Sequence, residues 1–205
     1  MNKKMSSFLV ALVILAIATS PFLSTAIAEK PVVTDKEGYI QYVGTLDGAN
    51  YVIRIPDEWN GMLVVGCHKW MPFDWTPDAQ FAMDNLVNGE GIGLPFAFIE
   101  EGFAYAASSY GEGGWPIKEA MTRTHQLTEY VIDNYGVTGK VFIIGHSMGG
   151  LIGLLLGEKY PELYDGVLDI SAMKDVILGY PQLVAIINGP NWPNIPPALK
   201  LRSCK

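Results

Sequence analysis

Histidine is scarce in this 205-residue chain: His68, His125 and His146 are the only three, and none follows Ser147. Cysteine is scarcer, with Cys67 closing an apolar run and Cys204 next to the last residue, which excludes a disulfide framework. Nowhere do His, Cys, Asp and Glu fall at metal-ligand spacing, so neither a metal nor a cofactor is expected. Basic residues are few, 14 against 21 acidic ones for a net charge of −7. That balance argues against a nucleic acid or an anionic membrane surface as partner, since phosphate would be repelled. Beyond residue 28 no apolar run approaches bilayer length, so nothing there predicts a membrane span.

What is present begins with a secretory pattern. Asn2, Lys3 and Lys4 open the chain, residues 8–18 are apolar, and Ala26-Ile27-Ala28 offers a small-x-small cleavage site before Glu29. The expected division is a signal peptide over 1–28 and one domain over 29–205, secreted or extracytoplasmic. Cleavage would take the net charge to −9. An uncleaved anchor is the alternative, because 8–27 is about long enough to cross a bilayer; Ser20, Pro21, Ser24 and Thr25 interrupt it and favour cleavage.

The stretch with the most chemical content is Gly145-His146-Ser147-Met148-Gly149-Gly150. A β-branched and aromatic run, 140–144, precedes it, and a Leu-rich helical stretch, 151–160, follows. A serine hydroxyl is a weak nucleophile, which must stand clear of the backbone and sit beside donors that can hold an oxyanion. A turn this tight pushes Ser147 towards positive φ, and glycine at 145 and 149 removes the side chains that would collide there. The following helix aims free N–H groups at the reacting carbonyl, the first of them on Met148. Strand, Gly-x-Ser-x-Gly, helix is a nucleophile elbow. Here the chain resembles the α/β-hydrolase superfamily, in which Gly-His-Ser-Met-Gly-Gly is common among esterases and lipases.

The rest follows suit. Residues 29–36 read as a polar lead-in, and 39–44 and 51–55 as an antiparallel hairpin around the turn residues 46–50. Residues 62–67 read as a strand buried on both faces. Helices are predicted over 77–87, 95–101 and 117–135, the last between Pro116 and Gly136. Strands are predicted over 103–108 and 166–170. A hairpin followed by repeated strand-helix-strand units predicts an α/β fold, a mostly parallel sheet with helices on both faces. This order matches the α/β-hydrolase sheet through its sixth strand. From about 174 the pattern weakens into a possible lid over 176–187 and a Pro-rich tail.

The resemblance implies further site residues. The second oxyanion donor falls on the backbone N–H of Trp70, in His68-Lys69-Trp70, where Lys69 replaces the usual glycine and carries a steric cost if its φ is positive. His68 reads as a turn residue. The acid of a triad falls on Asp175, with Asp169 inside the preceding strand. The base does not appear: the family's histidine comes last in the chain, His146 adjoins the serine on a strand end, and His125 sits mid-helix. Two readings follow, a hydrolase whose C-terminal part with its histidine is missing, or a protein that keeps the fold for binding alone. The expected function is an exported serine hydrolase acting on carboxylic esters or related acyl substrates through Ser147. Peptidase and thioesterase activity stay open, because the serine chemistry is shared.

Overall fold

The computed structural model describes residues 28–72 and 94–172. A seven-stranded sheet organises them: β1 (Val32–Lys36), β2 (Tyr39–Leu46), β3 (Ala49–Pro56), β4 (Leu63–Cys67), β5 (Ala104–Ser108), β6 (Val141–His146) and β7 (Gly166–Ile170). The spatial order is β1-β2-β3-β5-β4-β6-β7. The first three strands and the β3–β5 pair are antiparallel, and β5, β4, β6 and β7 run parallel. Among the described residues three helices join them: α1 (Leu94–Glu100), α2 (Ile117–Tyr135) and α3 (Met148–Lys159).

Alternation along the central strands builds two apolar layers. Leu63, Val65 and Cys67 of β4, Ala104 and Ala106 of β5, and Ile143 of β6 face Leu127 and Val131 of α2 and Ile152 and Leu156 of α3. Their chain neighbours Val64, Tyr105, Ala107 and Ile144 face the other way and join Ile99 of α1. Every residue of β4 and β5 is buried, as expected of parallel strands covered on both sides.

Several boundaries depart from the sequence expectation; β2 and β3 run two residues further into the expected turn, and three others matter more. Residues 32–36, read as part of a polar lead-in, form the edge strand β1; Val32, Val33 and Thr34 supply β-branched side chains, and five residue pairs align it with β2. The elbow strand continues through His146, and the helix after Ser147 begins at once on Met148 rather than at Leu151. Gly149 and Gly150 lower helix propensity, but the tertiary contact described below demands them. By contrast, α2 spans its expected residues, closed by Gly136 in the left-handed region at φ 80°.

Among the described residues no helix is long and apolar enough to cross a membrane. The expected signal segment apart from Ala28, the helix over 77–87, Asp175, the possible lid and the Pro-rich tail all lie outside the described residues.

Candidate active site

The parallel strands end together, and their C-terminal ends carry Ser147, His146, Cys67 and the start of the His68 turn. Cys67 at the end of β4 pairs with Gly145 of β6, and His146 pairs with Ile170 of β7, so the residues after each strand emerge side by side. Ser147 stands at the tip of the β6–α3 turn with φ 56° and ψ −115°. That backbone region is nearly forbidden to a residue with a Cβ and costs on the order of 1–3 kcal/mol, tolerated only where the surroundings dictate it. Two constraints do so here. The Ser147 N–H donates to the Ile170 carbonyl at 2.9 Å, and the Ser147 carbonyl accepts from the N–H groups of Gly150 and Leu151 at 3.1 and 3.3 Å.

Space at the elbow is closed to side chains. A Cβ on Gly145 would collide with the Gly149 carbonyl, and one on Gly149 would collide with the Cys67 carbonyl and lie 2.7 Å from the His68 oxygen. Strand, helix and the end of β4 therefore touch backbone to backbone around Ser147. In the first turn of α3, the N–H groups of Met148 and Gly149 have no carbonyl a turn earlier to accept them, and the helix dipole adds positive potential there. Because the strain sits on one residue, Ser147→Gly is expected to raise stability by about 1–3 kcal/mol, measured as an increased urea midpoint with unchanged slope.

Beside the elbow runs His68-Lys69-Trp70. Lys69 is not among the non-glycine residues with positive φ, so the turn is made without the steric cost its side chain threatened. His68 is fully buried, 1% exposed, and stacks on the Tyr110 ring with centroids 3.8 Å apart. Its Nδ1 lies 2.8 Å from the Lys69 carbonyl, and because a carbonyl only accepts, Nδ1 carries the proton. Burial lowers the imidazole pKa to about 4, outweighing the carbonyls of Lys69 and Ser109, which favour the charged ring. The ring is neutral at pH 7.

The other histidines are engaged or adjacent. His125, on α2, stacks on Tyr160 at 3.7 Å and approaches Glu129 at 3.6 Å, and burial lowers its pKa although Glu129 opposes this. It ties α2 to the end of α3. His146 closes β6, where consecutive side chains take opposite faces. Asp169 turns its Oδ1 to the Ala172 N–H at 2.7 Å, capping the turn after β7, and the same oxygen fills the space beside Gly150. Cys67 is a buried free thiol whose pKa burial pushes up to about 12, so it is not a nucleophile at neutral pH. Tyr110, one of the aromatic residues the sequence places near the strand ends as pocket or core candidates, carried no sign of a histidine partner: it follows β5 at φ 63°, fully buried, 42 residues from the histidine carbonyl it contacts.

Comparison with known proteins fits this architecture. A family model described as serine aminopeptidase, S33, matches residues 110–203, which include the elbow. The solved esterase of Pyrococcus furiosus superposes with a TM-score of 0.50 at 14% identity, covering 82% of this chain and 59% of that one.

The chain has the fold of the α/β-hydrolases.

Among curated proteins, an o-phthalyl amidase of Xanthobacter agilis is 26% identical over 149 residues, covering 70% of this chain and 30% of that protein. Acetylxylan esterase A of Aspergillus awamori is 28% identical over 85 residues, covering 34% and 28%. The chain thus spans under a third of the length of these curated relatives.

Proposed function

We propose that this chain is a serine hydrolase that cleaves carboxylic esters through an acyl-enzyme on Ser147. The observation that carries the reading is the backbone of Ser147, held at φ 56° between glycines whose Cβ positions are filled by other backbone. A chain keeps such strain where the conformation has a use, and this one lifts a hydroxyl clear of the sheet at a helix N-terminus. Ser147 attacks the acyl carbon, its proton passes to a base, and the carbonyl oxygen becomes an oxyanion held by the N–H groups of Met148 and Trp70. The leaving alcohol departs with a proton, and water then frees the acid by the same steps. Asp175 is the proposed orienting acid, residues 1–28 the export signal, and a small-molecule ester or acyl compound the substrate. Esters are preferred to amides because they need less help to expel the leaving group. The amidase relative and the peptidase family description keep amides and thioesters as the neighbouring possibility.

A second reading, a binding protein on the same fold, is favoured by one observation. His68 is bonded away into the core, His125 is stacked on Tyr160, and His146 precedes the serine on its own strand. None is placed as the base.

A fluorophosphonate probe separates the two. Stoichiometric labelling of the folded chain, lost in Ser147→Ala, is the expected result. A folded chain that takes up no probe overturns the hydrolase reading and leaves the binding protein. Rates on p-nitrophenyl esters against matched anilides then order the substrates.

A further inference from the structure

We propose that His68 and Tyr110 are positioning residues that fix the peptide plane between Lys69 and Trp70, and with it the second oxyanion donor. This rests on the serine hydrolase reading, in which that donor is the Trp70 N–H. The argument starts from peptide geometry. All described peptide bonds are trans, so the C=O and N–H of one plane point in opposite directions. The Lys69 carbonyl and the Trp70 N–H belong to the same plane. His68 Nδ1–H donates to that carbonyl at 2.8 Å. Holding the carbonyl towards the imidazole therefore holds the Trp70 N–H away from it, and that plane cannot rotate without breaking the bond.

Tyr110 fixes the imidazole in turn. Its ring lies on His68 with an interplanar angle of 19°, and its hydroxyl donates to the His68 carbonyl at 3.3 Å, pinning the preceding plane as well. Tyr110 is itself held in the left-handed region at φ 63°, with its N–H donating to Ser108 Oγ at 3.1 Å. A fully buried tyrosine at positive φ is rare and strained, and here it serves a turn that packs on the elbow: the Gly149 backbone abuts the carbonyls of Cys67 and His68. The neutral imidazole, which burial secures down to about pH 4, keeps the donor tautomer available throughout the working range of a hydrolase.

Asparagine and leucine at position 68 make the test. Asn places its side-chain N–H where imidazole has Nδ1–H, whereas Leu fills similar volume with no donor. Loss of one oxyanion donor is worth about 10²–10³ in rate. The expected result is that His68→Leu lowers the second-order rate of Ser147 phosphonylation at least about thirtyfold, His68→Asn restores it to within a few fold, and Tyr110→Phe lowers it about threefold to tenfold. Equal losses in the Asn and Leu variants, or an unchanged rate in both His68→Leu and Tyr110→Phe, overturn the inference. Amide hydrogen exchange over residues 66–72 gives a readout that needs no activity: faster exchange in His68→Leu, reversed in His68→Asn, is expected, and exchange identical in all three chains overturns it. A wild-type chain that resists the probe thus sinks the hydrolase reading while exchange still decides this one. If His68→Leu does not fold, Tyr110→Phe, which deletes a single oxygen, carries both measurements.

Discussion

Gly149→Ala will lower the stability of the chain by about 3 kcal/mol or more. Inserting one methyl group into a packed site ordinarily costs about 1–3 kcal/mol, because neighbours shift to make room. At Gly149 the neighbour is the Cys67 carbonyl, and Cys67 ends a strand that is paired on both sides, through Gly66 to Ala107 and through Cys67 itself to Gly145. Backbone held in two ladders cannot yield by rotating a side chain, so the upper end of the range applies. Gly136 is the control: its φ is also positive, at 80°, but a Cβ there meets nothing within 4 Å, so Gly136→Ala costs only the left-handed strain of about 1–2 kcal/mol. Urea denaturation of the three chains, with Gly149→Ala falling at least about 1 M below wild type, checks this. An order reversed between the two variants would mean that α3 does not lie against β4 as described.

Acid will destabilise the fold through His68. Its pKa is 6.5 when unfolded and about 4 when folded, because burial penalises the charged ring. Between those values the unfolded chain binds the extra proton, so stability rises with pH there and is lost as pH falls from 6.5 towards 4. A shift from 6.5 to about 4 corresponds to about 3 kcal/mol at 1.36 kcal/mol per unit, a large share of the 5–15 kcal/mol typical of a domain. His125, whose pKa is also lowered by burial, acts in the same direction. Unfolding free energies of wild type and His68→Asn at pH 7 and pH 4.5 provide the check. The wild type should lose about 2–3 kcal/mol more than the variant, and equal losses would show that the imidazole is not sealed from water.

The local parts of this fold were legible because single residues punctuate them. Pro116 and Gly136 bracket α2, and Gly145 and Gly149 announce a turn that no side chain could enter. The start of α3 was not legible, because two glycines read as loop until the carbonyls of Cys67 and His68 show why nothing larger fits. β1 was missed for the opposite reason: Asp35, Lys36 and exposed valines look like a solvated lead-in, and only the facing residues of β2 make them a strand. Of the candidate site, Ser147 and the Met148 N–H were written in the motif. The stacking of His68 on Tyr110 was not, since the two meet across 42 residues and no periodicity joins a strand end to a loop.

The strand order also carries a consequence for synthesis on the ribosome. β4 emerges early, yet both of its neighbours, β5 at Ala104–Ser108 and β6 at Val141–His146, lie later in the chain. Its five residues, all destined for the interior, acquire one partner only after residue 108 and the second only after residue 146. Pairing with β3, the strand just made, is not the native arrangement, because β5 must insert between them. A nascent chain therefore carries an aggregation-prone segment that is unpaired for about 40 residues of elongation and paired on one side only for about 40 more, and the same peptide that raises Ser147 at the elbow is the one that finally shelters it.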